Sequence, residues 1–125
     1  MEKKSVLQKY IRQFLEYLEI ERGRSERTVR NYDFYLQRFA NWAKHPQPNK
    51  ITQEMVRKYR LYLNRSVEGR DDVTLKKSTQ NYHLIALRSF LKYLSKRDIK
   101  TMSADKIELA KTGDRKIEFL EEDEL

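Results

Sequence analysis

The residues of this chain with the clearest chemistry are basic and amide side chains that share one face of residues 76–97. That stretch holds six basic residues and no acidic one, although acids are common elsewhere in the chain. A helix would bring five of its polar side chains into one arc, namely Lys77, Asn81, Arg88, Lys92 and Ser95. Ammonium, guanidinium and amide groups all donate hydrogen bonds to anions. The spacing therefore predicts a surface that binds something negatively charged, and the alternative is an ordinary solvated face.

The opposite face of the same stretch is apolar, which predicts an amphipathic helix. Four apolar residues gather there, with Leu91 and Tyr93 at the margins: Ala86, Leu87, Phe90 and Leu94. Ser78 is the predicted N-cap, because its hydroxyl can accept a hydrogen bond from a free N–H of the first turn. One face is thus expected to enter a core while the other stays available.

A second predicted helix, at residues 25–44, repeats this arrangement, with Ser25 as its N-cap. Its reverse face is again basic and amide: Arg24 just before the cap, then Arg27, Arg30, Asn31, Arg38 and Asn41. Phe34 lies on this polar face, where it is either covered by a neighbour or a partner or is simply one exposed aromatic. Two helices of the chain therefore carry faces that are predicted to bind an anionic partner.

Composition favours a small helical protein. The 125 residues suit one domain, and with only three Gly and two Pro they offer few tight turns. Further helices are predicted at residues 5–21, with Gly23 as a stop, and at residues 53–66, capped by Thr52. We expect an all-α, four-helix orthogonal bundle over residues 1–98. Residues 99–125 are expected to be a basic linker with a short helix at most, around residues 104–110, and then the start of another helix.

The charge is unevenly distributed along the chain. The net charge is +8, and because residues 117–125 hold five acids and no base, residues 1–116 carry +13. A body so basic is expected to attract polyanions, with affinity that falls steeply as salt rises. Nucleic acid is the first candidate. An anionic membrane surface is the second, but the basic residues lie on helices whose apolar faces are committed to a core.

The inventory of catalytic groups is poor. There is no cysteine, no glycine-rich phosphate loop, and the two histidines, His45 and His83, are far apart in sequence. The paired acids lie in a loop and in the terminal stretch, the usual places for solvating charge. We therefore expect no catalysis, no cofactor and no metal. The absence of cysteine and of an apolar run of about 18 residues favours a soluble cytoplasmic protein.

Two blocks of sequence resemble a known family. FLEYLEIERGRSERTVRNY, residues 14–32, continued by Leu36, Phe39 and Trp42, resembles the pattern FLxYLxxERGxSxxTxxxYxxxLxxFxxWL. STQNYHLIALRSFLKYL, residues 78–94, resembles TxNRRLSALRSFxxYL, and the closing FLEEDEL resembles FLTxEE. These patterns belong to the core-binding domain of tyrosine recombinases, the phage-integrase and Xer-type family, and they occur in the family order.

The resemblance implies a SAM-like helical domain that forms half of a C-shaped clamp on DNA. Its second and fourth helices would enter adjacent major grooves. Ser25, Thr28 and Tyr32 keep the first block, and Thr79, Asn81 and Arg88 keep the second. Tyr82, His83 and Ile85 depart from the second block, so base readout there is expected to differ from the usual one. The catalytic tyrosine and its assisting residues belong to a separate C-terminal domain, and we expect this chain to be a non-catalytic fragment that lacks it.

The predicted function is sequence-specific binding of double-stranded DNA as half of a site-specific recombinase. The predicted contacts on the two helices are Arg24, Ser25, Arg27, Thr28, Arg30, Asn31, Arg38, Lys77, Ser78, Thr79, Asn81, His83, Arg88 and Lys92. Predicted backbone contacts in the linker are Lys100, Lys106, Lys111, Arg115 and Lys116. Expected partners are inverted DNA half-sites, the catalytic domain and other recombinase protomers, with a monomer off DNA. The alternatives are a helical protein-interaction adapter and a helix-turn-helix-like transcriptional regulator.

Overall fold

The computed structural model describes residues 5–65 and 75–111 and folds them into four α-helices. They are α1 Val6–Ile20, α2 Glu26–Ala43, α3 Gln53–Arg65 and α4 Lys77–Lys96, with 3₁₀ turns at Pro48–Lys50 and Ala104–Lys106. No strand occurs within the described ranges, so the all-α, four-helix prediction is confirmed. In that same part of the chain, no helix combines the length and the apolar character that crossing a bilayer requires.

Hydroxyl side chains begin the first three helices. The backbone N–H three residues further on donates to the hydroxyl oxygen of Ser5, Ser25 and Thr52 at 3.0, 3.1 and 3.1 Å. Each bond satisfies one of the N–H groups that a helix start leaves free. The predicted caps at Ser25 and Thr52 are therefore confirmed.

The predicted cap of the fourth helix is wrong. α4 already begins at Lys77, and its N-cap residue is Lys76, which makes no side-chain capping bond. Ser78 lies inside the first turn. The side chain of Gln80 donates to the carbonyl oxygen of Leu75 at 2.8 Å, and this bond ties the entering chain to the helix. A local side-chain bond, rather than a hydroxyl cap, thus accompanies the start of α4.

Gly23 ends the first helical segment, as predicted. Its φ is +64°, in the left-handed region that glycine enters without strain. The chain then turns so that the N–H of Arg24 donates to the carbonyl of Leu18 at 2.9 Å, a helix-terminating bond. This tight turn makes α1 and α2 neighbours, and the two helices pack together.

α4 lies at the centre of the fold and contacts each of the other three helices. Its predicted apolar residues are all buried, and so are Leu84 and Ile85 beyond the predicted stripe. The ring of Phe90 packs edge-on against Phe14 of α1 at 5.6 Å, and Phe39 of α2 meets Tyr59 of α3 in the same way at 5.1 Å. Burial around α4 is wider than one stripe because three helices surround it.

The segment after α4 packs against that helix. Ile107 is 1% exposed and belongs to the core, and Ala110 exchanges two hydrogen bonds with the side chain of Asn81, at 2.8 and 3.0 Å. Residues 107–110 therefore pack on α4, and of the short helix predicted around residues 104–110 the structure shows the turn at Ala104–Lys106. The rest of the predicted linker, and the helix start expected after it, lie outside the described residues.

Replacing Asn81 by Ala is expected to lower the free energy of unfolding by about 1–3 kcal/mol, because it removes the side-chain partner of the N–H and of the carbonyl of half-buried Ala110. Urea unfolding would measure the loss, and hydrogen exchange should quicken at the amide of Ala110. Asn31→Ala is the matched control, since that amide is exposed on α2. Equal stability losses in the two variants would contradict the assignment.

Candidate nucleic-acid interface

The outward face of α2 is a basic surface, which we call the α2 stripe. Its members follow one another at helical spacing: Arg27, Arg30, Asn31, Phe34, Arg38 and Asn41. All are exposed except Arg38, which is half-buried. Asp33 lies to one side of the stripe and accepts a hydrogen bond from Gln37 at 3.3 Å. The stripe itself carries three guanidinium groups and no carboxylate.

Arg38 is held in place from two sides. Its Cζ lies 4.8 Å from the centre of the Phe34 ring, within the range of a cation–π contact. Its Nη1 lies 3.1 Å from Nε2 of His83, across the α2–α4 boundary. Nδ1 of His83 lies 2.8 Å from the carbonyl oxygen of Thr79, which can only accept, so the proton of the neutral ring sits on Nδ1. Nε2 is thereby left to accept from Arg38.

Burial keeps His83 neutral. The side chain is 2% exposed, and this loss of solvent lowers its pKa to about 4. The hydrogen bond to the carbonyl of Thr79 acts in the opposite direction, and the positive charge of Arg38 adds to the lowering. At neutral pH the ring therefore remains the acceptor that fixes the Arg38 guanidinium.

The start of α4 adjoins the α2 stripe, because the Thr79–His83–Arg38 bonds connect them. Lys76 and Lys77 are exposed there, and Ser78 and Thr79 are half-buried. A helix start also presents free N–H groups and the positive end of the helix dipole, both favourable to phosphate. We call the stripe and residues 76–79 together the α2–α4 surface. It joins residues from both predicted faces.

The middle of the predicted α4 face is covered. Asn81 is 0% exposed, and its side-chain amide is hydrogen-bonded to the backbone of Ala110. Arg88 is half-buried and donates to the carbonyl of Ile107 at 3.3 Å. The predicted placement of Asn81 and His83 on an open surface is wrong, since both are buried. In both cases a neighbouring segment packs over α4: residues 107–110 cover Asn81, and α2 covers His83.

Two other predicted contacts, Lys92 and Lys106, line grooves outside the α2–α4 surface. Lys92 lines a groove of about 230 Å³ between α1 and α4, together with Arg22 and Lys96. Lys106 lines another groove, of about 670 Å³, against the first turns of α3. Lys100 and Lys111 are exposed, while Arg115 and Lys116 lie outside the described residues. Of these linker residues, Lys106 is thus placed against α3 rather than against the stripe.

Some polar side chains in the first turn of α2 form hydrogen bonds within that turn. The hydroxyl of Ser25 caps the helix and donates to Oγ1 of Thr28 at 3.1 Å. Arg24 is half-buried, and its Nε is enclosed without a hydrogen-bond partner in the described part of the chain. Ser25 and Thr28 thus support the stripe locally, and Arg27 and Arg30 are its freely exposed cations.

Phe34 was not among the residues predicted to bind DNA. Its position on an otherwise basic helix face was the sequence feature that could have identified it. The ring is 54% exposed and lies 6.3 Å from the ring of His83 and 5.8 Å from that of Tyr35. It also lines a groove of about 440 Å³ with Arg38, Asn41 and Tyr62 of α3. The surface is therefore cationic with one aromatic ring inside it.

The described residues do not bring together any group of three or more His, Cys, Asp or Glu side chains that could hold a metal ion. What the α2–α4 surface offers is hydrogen-bond donation and positive charge, from side chains held by helices rather than loops. An open, basic helical face of this kind suits a large anionic partner better than a small enclosed ligand.

Comparison with known proteins identifies one family. The sequence model described as phage integrase, N-terminal SAM-like domain, matches residues 11–98. No curated protein and no solved structure matches the chain. The matched range contains every residue of the α2–α4 surface.

Proposed function

The chain belongs to the phage integrase family through its N-terminal SAM-like domain, and from that premise we propose that it binds double-stranded DNA through the α2–α4 surface. The observation that carries the proposal is Arg38, a guanidinium fixed by Phe34 and His83 at the junction of two basic helix segments. A fixed guanidinium loses little conformational entropy when it binds phosphate or a guanine edge. The exposed Arg27, Arg30 and Lys77 extend the charge on either side of it.

The major groove of DNA supports the same assignment by its size. The groove is roughly 12 Å wide, which admits one α-helix. α2 presents its basic residues along one face, so the whole stripe can follow the groove while its flanking cations reach phosphates. In this proposal α2 supplies the contacts along the groove and the start of α4 supplies backbone contacts.

A duplex titration at two salt concentrations tests the proposal. With about four phosphate contacts, affinity is expected to fall roughly a hundredfold between about 50 and about 200 mM salt. Fluorescence anisotropy with a labelled duplex would measure it. Binding that ignores salt would favour the protein-interaction adapter, and no binding at high DNA concentration would overturn the proposal.

Arg38→Ala is expected to weaken duplex binding about tenfold to a hundredfold, and Arg38→Lys to recover only part of the loss, because an ammonium lacks the planar fork. Anisotropy titrations of the folded variants would measure both. Arg12→Ala is the matched control, since Arg12 is exposed on α1 and outside the surface. If Arg12→Ala and Arg38→Ala weaken binding equally, total charge and not this surface drives binding.

The proposal extends to the assembly in which the chain works. We propose that it binds inverted half-sites alongside other recombinase protomers, and that it is a monomer off DNA. Strand breakage and rejoining would be carried out by a separate catalytic domain. Analytical ultracentrifugation with and without a two-half-site duplex would test the stoichiometry.

A further inference from the structure

Phe34 is out of place for a surface that binds only phosphate. Among the described residues the exposed large apolar side chains are Val6, Ile20 and Phe34. Val6 and Ile20 are the first and last residues of α1, but Phe34 is in the middle of α2, between the cations of the stripe. A phenyl ring forms no conventional hydrogen bond with a phosphate oxygen, so the part of it that Arg38 does not cover suits an apolar partner better.

The base edges of the major groove contain one such partner. Thymine presents its 5-methyl group there, and guanine presents O6 and N7, the acceptor pair that matches an arginine fork. Phosphates and sugars are the same at every base pair and carry no sequence information. A ring and a guanidinium side by side on one helix face therefore match two different base edges.

The spacing of the two side chains fits neighbouring base pairs. The Cζ of Arg38 lies 4.8 Å from the centre of the Phe34 ring, and successive base pairs are separated by about 3.4 Å. His83 engages a single N–H of Arg38, and a guanidinium has about five in all, so the fork remains able to donate. His83 also fixes the guanidinium before any DNA arrives.

Resting on the proposed DNA-binding function, we propose that Phe34 and Arg38 are a specificity-determining pair. The Phe34 ring reads the 5-methyl group of a thymine, and the Arg38 fork reads O6 and N7 of a guanine in an adjacent base pair. The remaining cations of the α2 stripe contact phosphates and carry no sequence preference.

The experiment begins with the full chain and a pool of random duplexes, from which the preferred sequence is selected. Each thymine of that sequence is then replaced by deoxyuridine and each guanine by 7-deazaguanine, one at a time. For the wild-type chain, one deoxyuridine is expected to weaken binding about fourfold, the worth of one buried methyl group. A 7-deazaguanine at the neighbouring pair is expected to weaken it about tenfold, since it removes one charged hydrogen bond.

The variants assign each effect to a side chain. Phe34→Ala should lose the response to deoxyuridine and keep the response to 7-deazaguanine, and Arg38→Ala should show the reverse. Arg27→Ala, the control from the same stripe, should bind more weakly and keep both responses. Phe34 is exposed, so its replacement is expected to leave the fold intact, which circular dichroism would verify.

Three results would overturn the pair. Phe34→Ala could retain the deoxyuridine response, the selection could give no preferred sequence although the chain binds duplexes, or Phe34→Ala could dissociate a self-associated form of the free chain. In the second case DNA binding stands and only the readout fails. If no duplex binds at all, the proposed function fails with it, so the two failures are distinguishable.

Discussion

Exchanging Arg27 and Arg30 together for Glu is expected to lower duplex affinity on the order of a thousandfold at low salt. Both side chains are exposed members of the α2 stripe and lie one helical turn apart. Each exchange removes a phosphate contact and places a negative charge against the DNA backbone. The double variant should therefore also lose about two units of the slope of log affinity against log salt.

The fold is expected to survive this exchange. Arg27 lies in the first turn of α2, where Glu26 is already present and where the helix dipole favours negative charge, and Arg30 follows in the next turn on the exposed face. Neither arginine is part of the buried core. A loss of binding can then be attributed to the surface, provided that the thermal unfolding midpoint of the variant matches that of the wild-type chain.

Lys9→Glu with Arg12→Glu is the matched control. These residues are exposed on α1 at the same spacing, and their exchange changes the net charge by the same amount. Long-range attraction should weaken equally in both variants, so the control is expected to lose roughly tenfold. If the two double variants bind equally, the charge of the whole molecule accounts for binding and the α2 stripe has no special part in it.

The helices could be predicted from the sequence because their signals are local. The caps at Ser25 and Thr52 and the stop at Gly23 lie within a few residues of the bonds they make. Apolar periodicity likewise depends only on spacing along one helix. The bounds of the first three helices accordingly differ from the predicted ones by about one residue, within the usual spread of helix ends.

The covered face of α4 could not be predicted in this way. Asn81 is bonded to a residue 29 positions away, and the segment that carries Ala110 has no helical or strand period. In sequence, an amide on a polar helix face looks the same whether it meets water, an anion or a distant backbone. Ile107 and Leu109 were the available signal, since they are large apolar residues in a polar stretch and pack into or against the core.

The candidate site was predicted in composition but not in geometry. Arg38 was identified by its charge and its place on the polar face of α2. Its restraint by His83 links positions 45 residues apart, and the role of that histidine as an acceptor depends on burial by two helices. The sequence thus predicted which helix face is basic, while tertiary packing determines which of its cations is held rigid.

Acidification is expected to destabilise the fold through His83. Its folded-state pKa is about 4, against 6.5 for an exposed imidazole, so the unfolded chain takes up the proton first as pH falls. The contribution to stability is therefore complete above pH 6.5 and is lost as pH falls from there to about 4. Its full size is about 3 kcal/mol, from the difference between the two pKa values.

His83→Gln separates this contribution from that of the carboxylates. Glutamine is neutral throughout and its amide oxygen can still accept from Arg38, so between pH 7 and 4 the wild-type chain should lose about 3 kcal/mol more than the variant. Urea unfolding across this range measures the difference, with His45→Gln as the control at an exposed histidine. Parallel pH curves for His83→Gln and the wild-type chain would contradict the assignment.

A direct titration of the ring keeps the prediction testable even if His83→Gln fails to fold. The imidazole resonances of the wild-type chain should give a pKa for His83 near 4, with His45→Gln used to assign them. The groups that face the ring explain why it resists protonation: Arg38 and Tyr35 come from α2, and the carbonyl of Thr79 on α4 already accepts the Nδ1 proton. A second proton, on Nε2, would place a positively charged imidazole beside the Arg38 guanidinium. The proton that destabilises the fold is therefore the one that would release Arg38, and at neutral pH the α2–α4 surface is held by a neutral histidine.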